Sequence, residues 1–181
     1  MTFFKSMPQV AILGARGIGQ VHARLFQKSG ANVCAIMGST MQTAQQTAEL
    51  LNRSLGISPK SFDNLEALIK EAQPVALSIC TPAECHFEQI LTAFDQGLPV
   101  FCEKPLFWEK NLSPEKLETK LTLLSRHRRR FLFINTCNAY FLERVLKKTR
   151  LIIYQIRSII ILIVARILLI HTWMLFIQKV N

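Results

Sequence analysis

Val10-Ala11-Ile12-Leu13-Gly14-Ala15-Arg16-Gly17-Ile18-Gly19 is the stretch that decides how this chain is read. Residues 9–13 are apolar enough for a short buried strand, and the glycines after them make a tight turn. From Gly17 to Lys28 the pattern becomes helical, with Val21, Leu25 and Phe26 expected on one face. A turn joining a strand to a helix offers backbone N–H groups and the positive end of the helix dipole, which suits a pyrophosphate. Set against G-x-G-x-x-G, Gly14 and Gly19 fit, but Arg16 stands where the middle glycine belongs. Either Gly17 relieves the crowding from next door, or Arg16 leans over the phosphates. A strand–helix turn without any ligand is the plainer reading of the same letters.

Outward from this turn, strand and helix signals alternate. Ser29-Gly30 stops the first helix and Val33–Met37 reads as a second strand. Met41–Asn52 is helical and Gly56 closes it. Asp63 is the expected N-cap of a helix over Leu65–Ala72, with Glu66 at the capping-box position. Val75–Cys80 is a strand ended by Thr81-Pro82, and Glu84–Gln96 is a helix closed by Gly97. Val100-Phe101-Cys102 is another apolar strand and runs into Glu103-Lys104-Pro105. Ser113-Pro114-Glu115 opens a helix that lasts to about His127, and Phe131–Asn138 reads as a further strand. This order predicts an α/β fold, a Rossmann-type doubly wound parallel sheet covered on both faces.

Charge divides the chain of 181 residues into two parts. The formal net charge of +10 resembles a nucleic-acid binder's, but residues 1–143 hold 15 Lys and Arg against 12 acids. Residues 144–181 hold seven basic residues and no acid, glycine or proline. The front is a nearly balanced domain and the basic excess belongs to the tail. The cluster of Arg126, Arg128, Arg129 and Arg130 reads first as cations at a helix C-terminus, and second as a phosphate patch. No interleaved aromatics or nucleic-acid motif accompanies it, so no nucleic-acid partner is expected.

Cysteines 34, 80, 85, 102 and 137 are odd in number and lack CxxC or Cys/His ligand spacing. They predict neither a disulfide framework nor a metal site. Four lie in or beside strand-like runs, where a free cysteine acts as a small core residue in a reducing compartment. Met1–Pro8 is too short for a secretory signal, so a cytoplasmic location is expected.

Three segments together carry a resemblance to a known family. They are Gly14 to His22-Ala23, Ser78-Ile79-Cys80-Thr81-Pro82 with His86, and Gly97 to Pro105. Over about residues 8–140 the chain resembles the glucose–fructose oxidoreductase/inositol dehydrogenase (Gfo/Idh/MocA) family. Short-chain dehydrogenases also match the glycines in part, but their first glycine would fall on Leu13 and no Tyr-x-x-x-Lys pair is present.

The resemblance implies an NAD(P)-dependent oxidoreductase that moves hydride to or from a sugar- or polyol-like hydroxyl or carbonyl. It implies Lys104 as a polarising or proton-relay group near the nicotinamide, Glu103 as its orienting neighbour, and often a cis peptide at Pro105. Gly14, Arg16, Gly17, Ile18 and Gly19 would cradle the pyrophosphate. Thr81 and Pro82 would lie under the cofactor, and His86 is either a further contact or a surface or capping residue. The placement of Lys104 after a buried strand, at the carboxyl edge of the sheet, supports its role independently.

The second strand ends in Gly38-Ser39-Thr40 with no acid in reach. Ser39, Thr40 and Arg16 could then accept a 2′-phosphate on the adenosine ribose, which favours NADP over NAD. Family members carry a second, substrate-binding domain, and nothing here matches it. Three readings of 144–181 compete. One is a membrane segment within 151–177, where Arg166 would cost about 2.5–3.5 kcal/mol at mid-bilayer. The others are a docked amphipathic helix and an altered or truncated reading frame. The expectation is therefore an oxidoreductase domain, its turnover in doubt. The alternative is a non-catalytic nucleotide-binding regulatory module tethered through its tail.

Overall fold

A computed structural model describes residues 7–127 and 130–136 of the chain. Six strands alternate with five helices among these residues. They are β1 (Gln9–Leu13), α1 (Ile18–Lys28), β2 (Asn32–Met37), α2 (Met41–Leu55), β3 (Lys60–Phe62) and α3 (Leu65–Ala72), followed by β4 (Ala76–Ile79), α4 (Ala83–Asp95), β5 (Val100–Glu103), α5 (Pro114–Arg126) and β6 (Leu132–Asn135).

The strands form one parallel sheet in the order β3-β2-β1-β4-β5-β6. Because side chains alternate along a strand, β1 feeds two separate cores. Val10 and Ile12 join Phe26, Leu51 and Phe101 on one face, while Ala11 and Leu13 join Leu68, Ile90 and Phe94 on the other. Burial on both faces explains why β1, β4 and β5 read as mainly apolar runs and not as alternating ones. Successive connections leave β1 in opposite directions, so the strand order reverses between β1 and β4. Their carboxyl ends open a crevice there, and in open α/β sheets ligands bind in such crevices.

Several local expectations need correction. Asn64, not Asp63, caps α3: its side chain accepts from Ala67 N–H at 2.8 Å. The capping-box position therefore passes from Glu66 to Ala67, which has no side chain to return the bond. Asp63 instead accepts from Met41 N–H at 3.1 Å, at the start of α2. Val21 is exposed, and the buried face of α1 is Gly19, His22, Ala23 and Phe26. The three-residue β3, which the sequence pattern does not announce, has too few side chains to show a period.

Arg130 neither caps its own helix nor forms a free patch. Its Nε–H donates to the Phe94 carbonyl at 3.0 Å, tying the end of α4 to the approach of β6. β6 spans Leu132–Asn135, inside the expected 131–138. The readings of Cys137 and of the 144–181 tail lie outside the described residues. Among the described residues no helix is long and apolar enough to cross a membrane.

Candidate functional site

The crevice at the β1–β4 switch is a cleft of about 460 Å³. Its floor is the β1–α1 turn (Gly14, Ala15, Arg16) and the β4–α4 loop (Cys80, Thr81, Pro82). Met37 at the end of β2, Gly38 and Ser39 after it, Thr43 and Thr47 of α2, and Asp63 after β3 form one side. Cys85 and Gln89 of α4 complete it.

The glycine turn is as tight as its letters suggest. Gly14 has φ +76°, and a Cβ there would lie 2.7 Å from the Cys80 carbonyl oxygen. A Cβ on Gly19 would lie 2.5 Å from the Gly14 carbonyl oxygen, so α1 can approach β1 this closely only without a side chain. Arg16 is exposed and lines the cleft from the position of the missing middle glycine. Gly17 has φ 59° and ψ −118°, and caps α1 with no side-chain hydrogen bond and no acid in the first turn. The positive end of α1 thus has neither a side-chain cap nor an acid, while the N–H groups of Gly19 and Gln20 donate to the Arg16 and Gly17 carbonyls at 3.3 and 3.2 Å. That arrangement fits an anion such as the pyrophosphate of a dinucleotide.

Of the residues predicted for the site, the structure brings Gly14, Arg16, Ser39, Thr81 and Pro82 together around the cleft. Gly17, the N-cap of α1, and Ile18 and Gly19, its first two residues, follow that turn and do not line the cleft. Thr40 accepts from Thr43 N–H at 3.2 Å, and Thr43 Oγ1 accepts from Thr40 N–H at 3.1 Å, so Thr40 is committed to capping α2. Contrary to the sequence expectation, an acid does lie in reach of the β2 end. Asp63 reaches the same cleft from the neighbouring strand, which removes the ground for preferring NADP.

Glu103, Lys104 and Pro105 stand at the carboxyl end of β5 and do not line this cleft. Lys104 is exposed, and its peptide bond to Pro105 is cis. Beneath it lies a polar network that the sequence did not announce. His22 is 1% exposed, and its Nε2 lies 2.8 Å from Glu103 Oε1. His22 Nδ1 lies 2.8 Å from Ser78 Oγ and 3.2 Å from Cys80 Sγ. With Nε2–H donating to the Glu103 carboxylate, Nδ1 is left to accept from the Ser78 hydroxyl. Asn135 Nδ2 also donates to Glu103 Oε1, and Glu103 Oε2 accepts from Lys104 N–H at 3.4 Å. A buried carboxylate requires this many partners. The network ties the glycine helix α1, through β4, to the backbone of Lys104. The available signal was His22 itself, a polar residue on the buried face of α1 one turn before Phe26.

His86 is buried, not a surface or capping residue. Its Nε2 lies 2.8 Å from the Thr81 carbonyl and its Nδ1 2.9 Å from the Pro105 carbonyl. The ring bridges the cleft loop to the Lys104-Pro105 turn. Cys102, 3.3 Å from His86 Nδ1, is a core thiol whose pKa is pushed up by burial first and by the neighbouring Cys80 and Glu103 second. Cys85 is exposed at the cleft. Among the described residues no group of three His, Cys, Asp or Glu could hold a metal ion.

A parallel sheet with a bare helix N-terminus at its switch point defines a Rossmann-type domain. Residues 9–135 match the Gfo/Idh/MocA family, described as an oxidoreductase family with an NAD-binding Rossmann fold, and the chain belongs to that family. It is 33% identical over 100 residues to inositol 2-dehydrogenase of Paracoccus denitrificans, covering 54% of this chain and 29% of that one. It is 30% identical over 99 residues to D-glucoside 3-dehydrogenase of Escherichia coli, covering 54% and 27%. The fold is similar to that of scyllo-inositol dehydrogenase from Lactobacillus casei, crystallised with bound NAD(H) and scyllo-inositol. That similarity has a TM-score of 0.62 at 19% identity and covers 80% of this chain and 42% of that one. The chain spans less than a third of the length of the two sequence relatives.

Proposed function

We propose that this chain binds a nicotinamide dinucleotide in the β1–β4 cleft and serves hydride transfer to or from a polyhydroxy substrate. The observation that carries the reading is the glycine turn leading into an α1 N-terminus without a side-chain cap or acid, whose Gly14, Ala15 and Arg16 line a cleft of about 460 Å³. Family membership and relatives that act on cyclitols and sugars support the substrate class. When bound, the cofactor supplies the hydride chemistry itself.

The chain's residues do the rest. The N–H groups of the β1–α1 turn, with Arg16, hold the diphosphate. Ser39 is placed for the adenosine ribose, and Thr81 and Pro82 support the cofactor from below. Lys104 holds the reacting hydroxyl and exchanges its proton. Glu103, fixed by His22 and Asn135, orients the Lys104 backbone, and His86 holds the two loops at their spacing. The unbridged thiols of Cys34, Cys85 and Cys102 fit a reducing compartment, the cytoplasm.

A second reading, a nucleotide-binding module without turnover, draws on one observation: Lys104 is exposed and outside the cleft. Reduction of NAD by a panel of cyclitols and sugars separates the two. The enzyme reading expects turnover that falls roughly 10²–10⁴-fold in Lys104→Ala while NADH binding persists. NADH binding without turnover on any polyol leaves the module.

A further inference from the structure

In a dinucleotide fold the acid that holds the adenosine ribose stands at the end of the second strand. That position is Gly38 here, and it has no room for a side chain. A Cβ on Gly38 would lie 2.6 Å from Thr43 Oγ1 and 2.7 Å from Ala44 N. β3 runs parallel beside β2 with Met37 opposite Phe62, and Gly38 N–H donates to the Phe62 carbonyl at 2.9 Å. The next residue of that strand is Asp63, so it emerges one strand spacing, about 4.8 Å, to the side of Gly38. It lines the same cleft as Gly38 and Ser39, and its Oδ2 is held by Met41 N–H.

Resting on the dinucleotide reading above, we infer that Asp63 selects NAD(H) over NADP(H), supplying from β3 the carboxylate that β2 cannot carry. Two physical effects act in the same direction. A 2′-hydroxyl can donate to a carboxylate, whereas a 2′-phosphate brings roughly −1.5 to −2 charge and only acceptors. The N-terminus of α2 would otherwise attract that phosphate, but two of the N–H groups of its first turn are already taken. Asp63 accepts from Met41 N–H and the Thr40 hydroxyl accepts from Thr43 N–H. The other charged residue lining the cleft is Arg16, which belongs to the β1–α1 turn and the diphosphate.

The test titrates NADH and NADPH separately into the full chain and its Asp63→Asn variant, read by nucleotide fluorescence. Asparagine keeps an oxygen for Met41 N–H and removes the charge. The parent is expected to hold NADH about tenfold or more tighter than NADPH, and the variant to narrow that ratio by about tenfold. In the parent alone, rising salt should also narrow the ratio by screening the carboxylate. That second measurement decides the matter if the variant does not fold. A parent that favours NADPH overturns the role of Asp63 and leaves the dinucleotide reading standing. So does a ratio that moves with neither charge removal nor salt. A folded parent that takes up neither nucleotide overturns the dinucleotide reading itself.

Discussion

The N-termini of α1 and α2 border the same cleft and are finished in opposite ways. α1 starts on Gly17 with no capping side chain and no acid in its first turn. α2 starts on Thr40, in a reciprocal cap with Thr43, and carries the Asp63 carboxylate on Met41 N–H. Both helices have the same macrodipole, worth about 0.3–1 kcal/mol to a nearby charge at a surface site. At α1 the protein leaves that attraction open for an anion from outside. At α2 it satisfies the attraction internally and adds a negative charge. One cleft can therefore welcome a diphosphate at one end and refuse a further phosphate at the other.

The largest expected effect lies in the turn that holds α1 in place. Gly19→Ala sets a Cβ 2.5 Å from the Gly14 carbonyl oxygen, a backbone contact that no rotamer relieves. The variant should lose about 3 kcal/mol of stability, read from the denaturant midpoint, and lose nucleotide binding with it. The Asp63→Asn titration comes next, since it removes the charge that sets the two ends apart. The smallest effect is a footprint. Cys85 is exposed at the cleft, whereas burial raises the Cys102 pKa and keeps that thiol protonated at neutral pH. Alkylation followed by mass spectrometry should mark Cys85 first, and NADH should slow that reaction severalfold by occupying the cleft. Equal rates with and without NADH would move the nucleotide away from α4.

The α1 side of this comparison was legible in the sequence and the α2 side was not. Gly14, Gly17 and Gly19 mark their turn because each answers a local constraint, a positive φ or a close backbone approach, that any reading of neighbouring letters detects. Val75–Cys80 and Val100–Cys102 stand out because strands buried on both faces are mainly apolar, even with Ser78 inside the first. In sequence Asp63 reads as a helix cap because it precedes Leu65 at a plausible distance, yet Asn64 takes that role. What Asp63 does instead depends on β3 lying beside β2, a pairing across more than twenty residues that no local pattern encodes. His22 and Glu103 are 81 residues apart and meet only once β1, β4 and β5 are side by side. His86 could not be resolved from its helical position because its partners, the Thr81 and Pro105 carbonyls, lie on two different loops.

The open N-terminus of α1 is tested most directly by closing it. Gln20, in the first turn of α1, replaced as Gln20→Glu, gives that turn the acid it lacks. The full chain and the variant are compared by thermal unfolding and by calorimetric titration with NADH. The account predicts opposite signs. The variant gains about 0.3–1 kcal/mol of stability from the helix dipole and binds NADH about tenfold more weakly, because its carboxylate repels the diphosphate. NADH affinity unchanged by the added acid, or a folded parent that takes up no NADH, would contradict it.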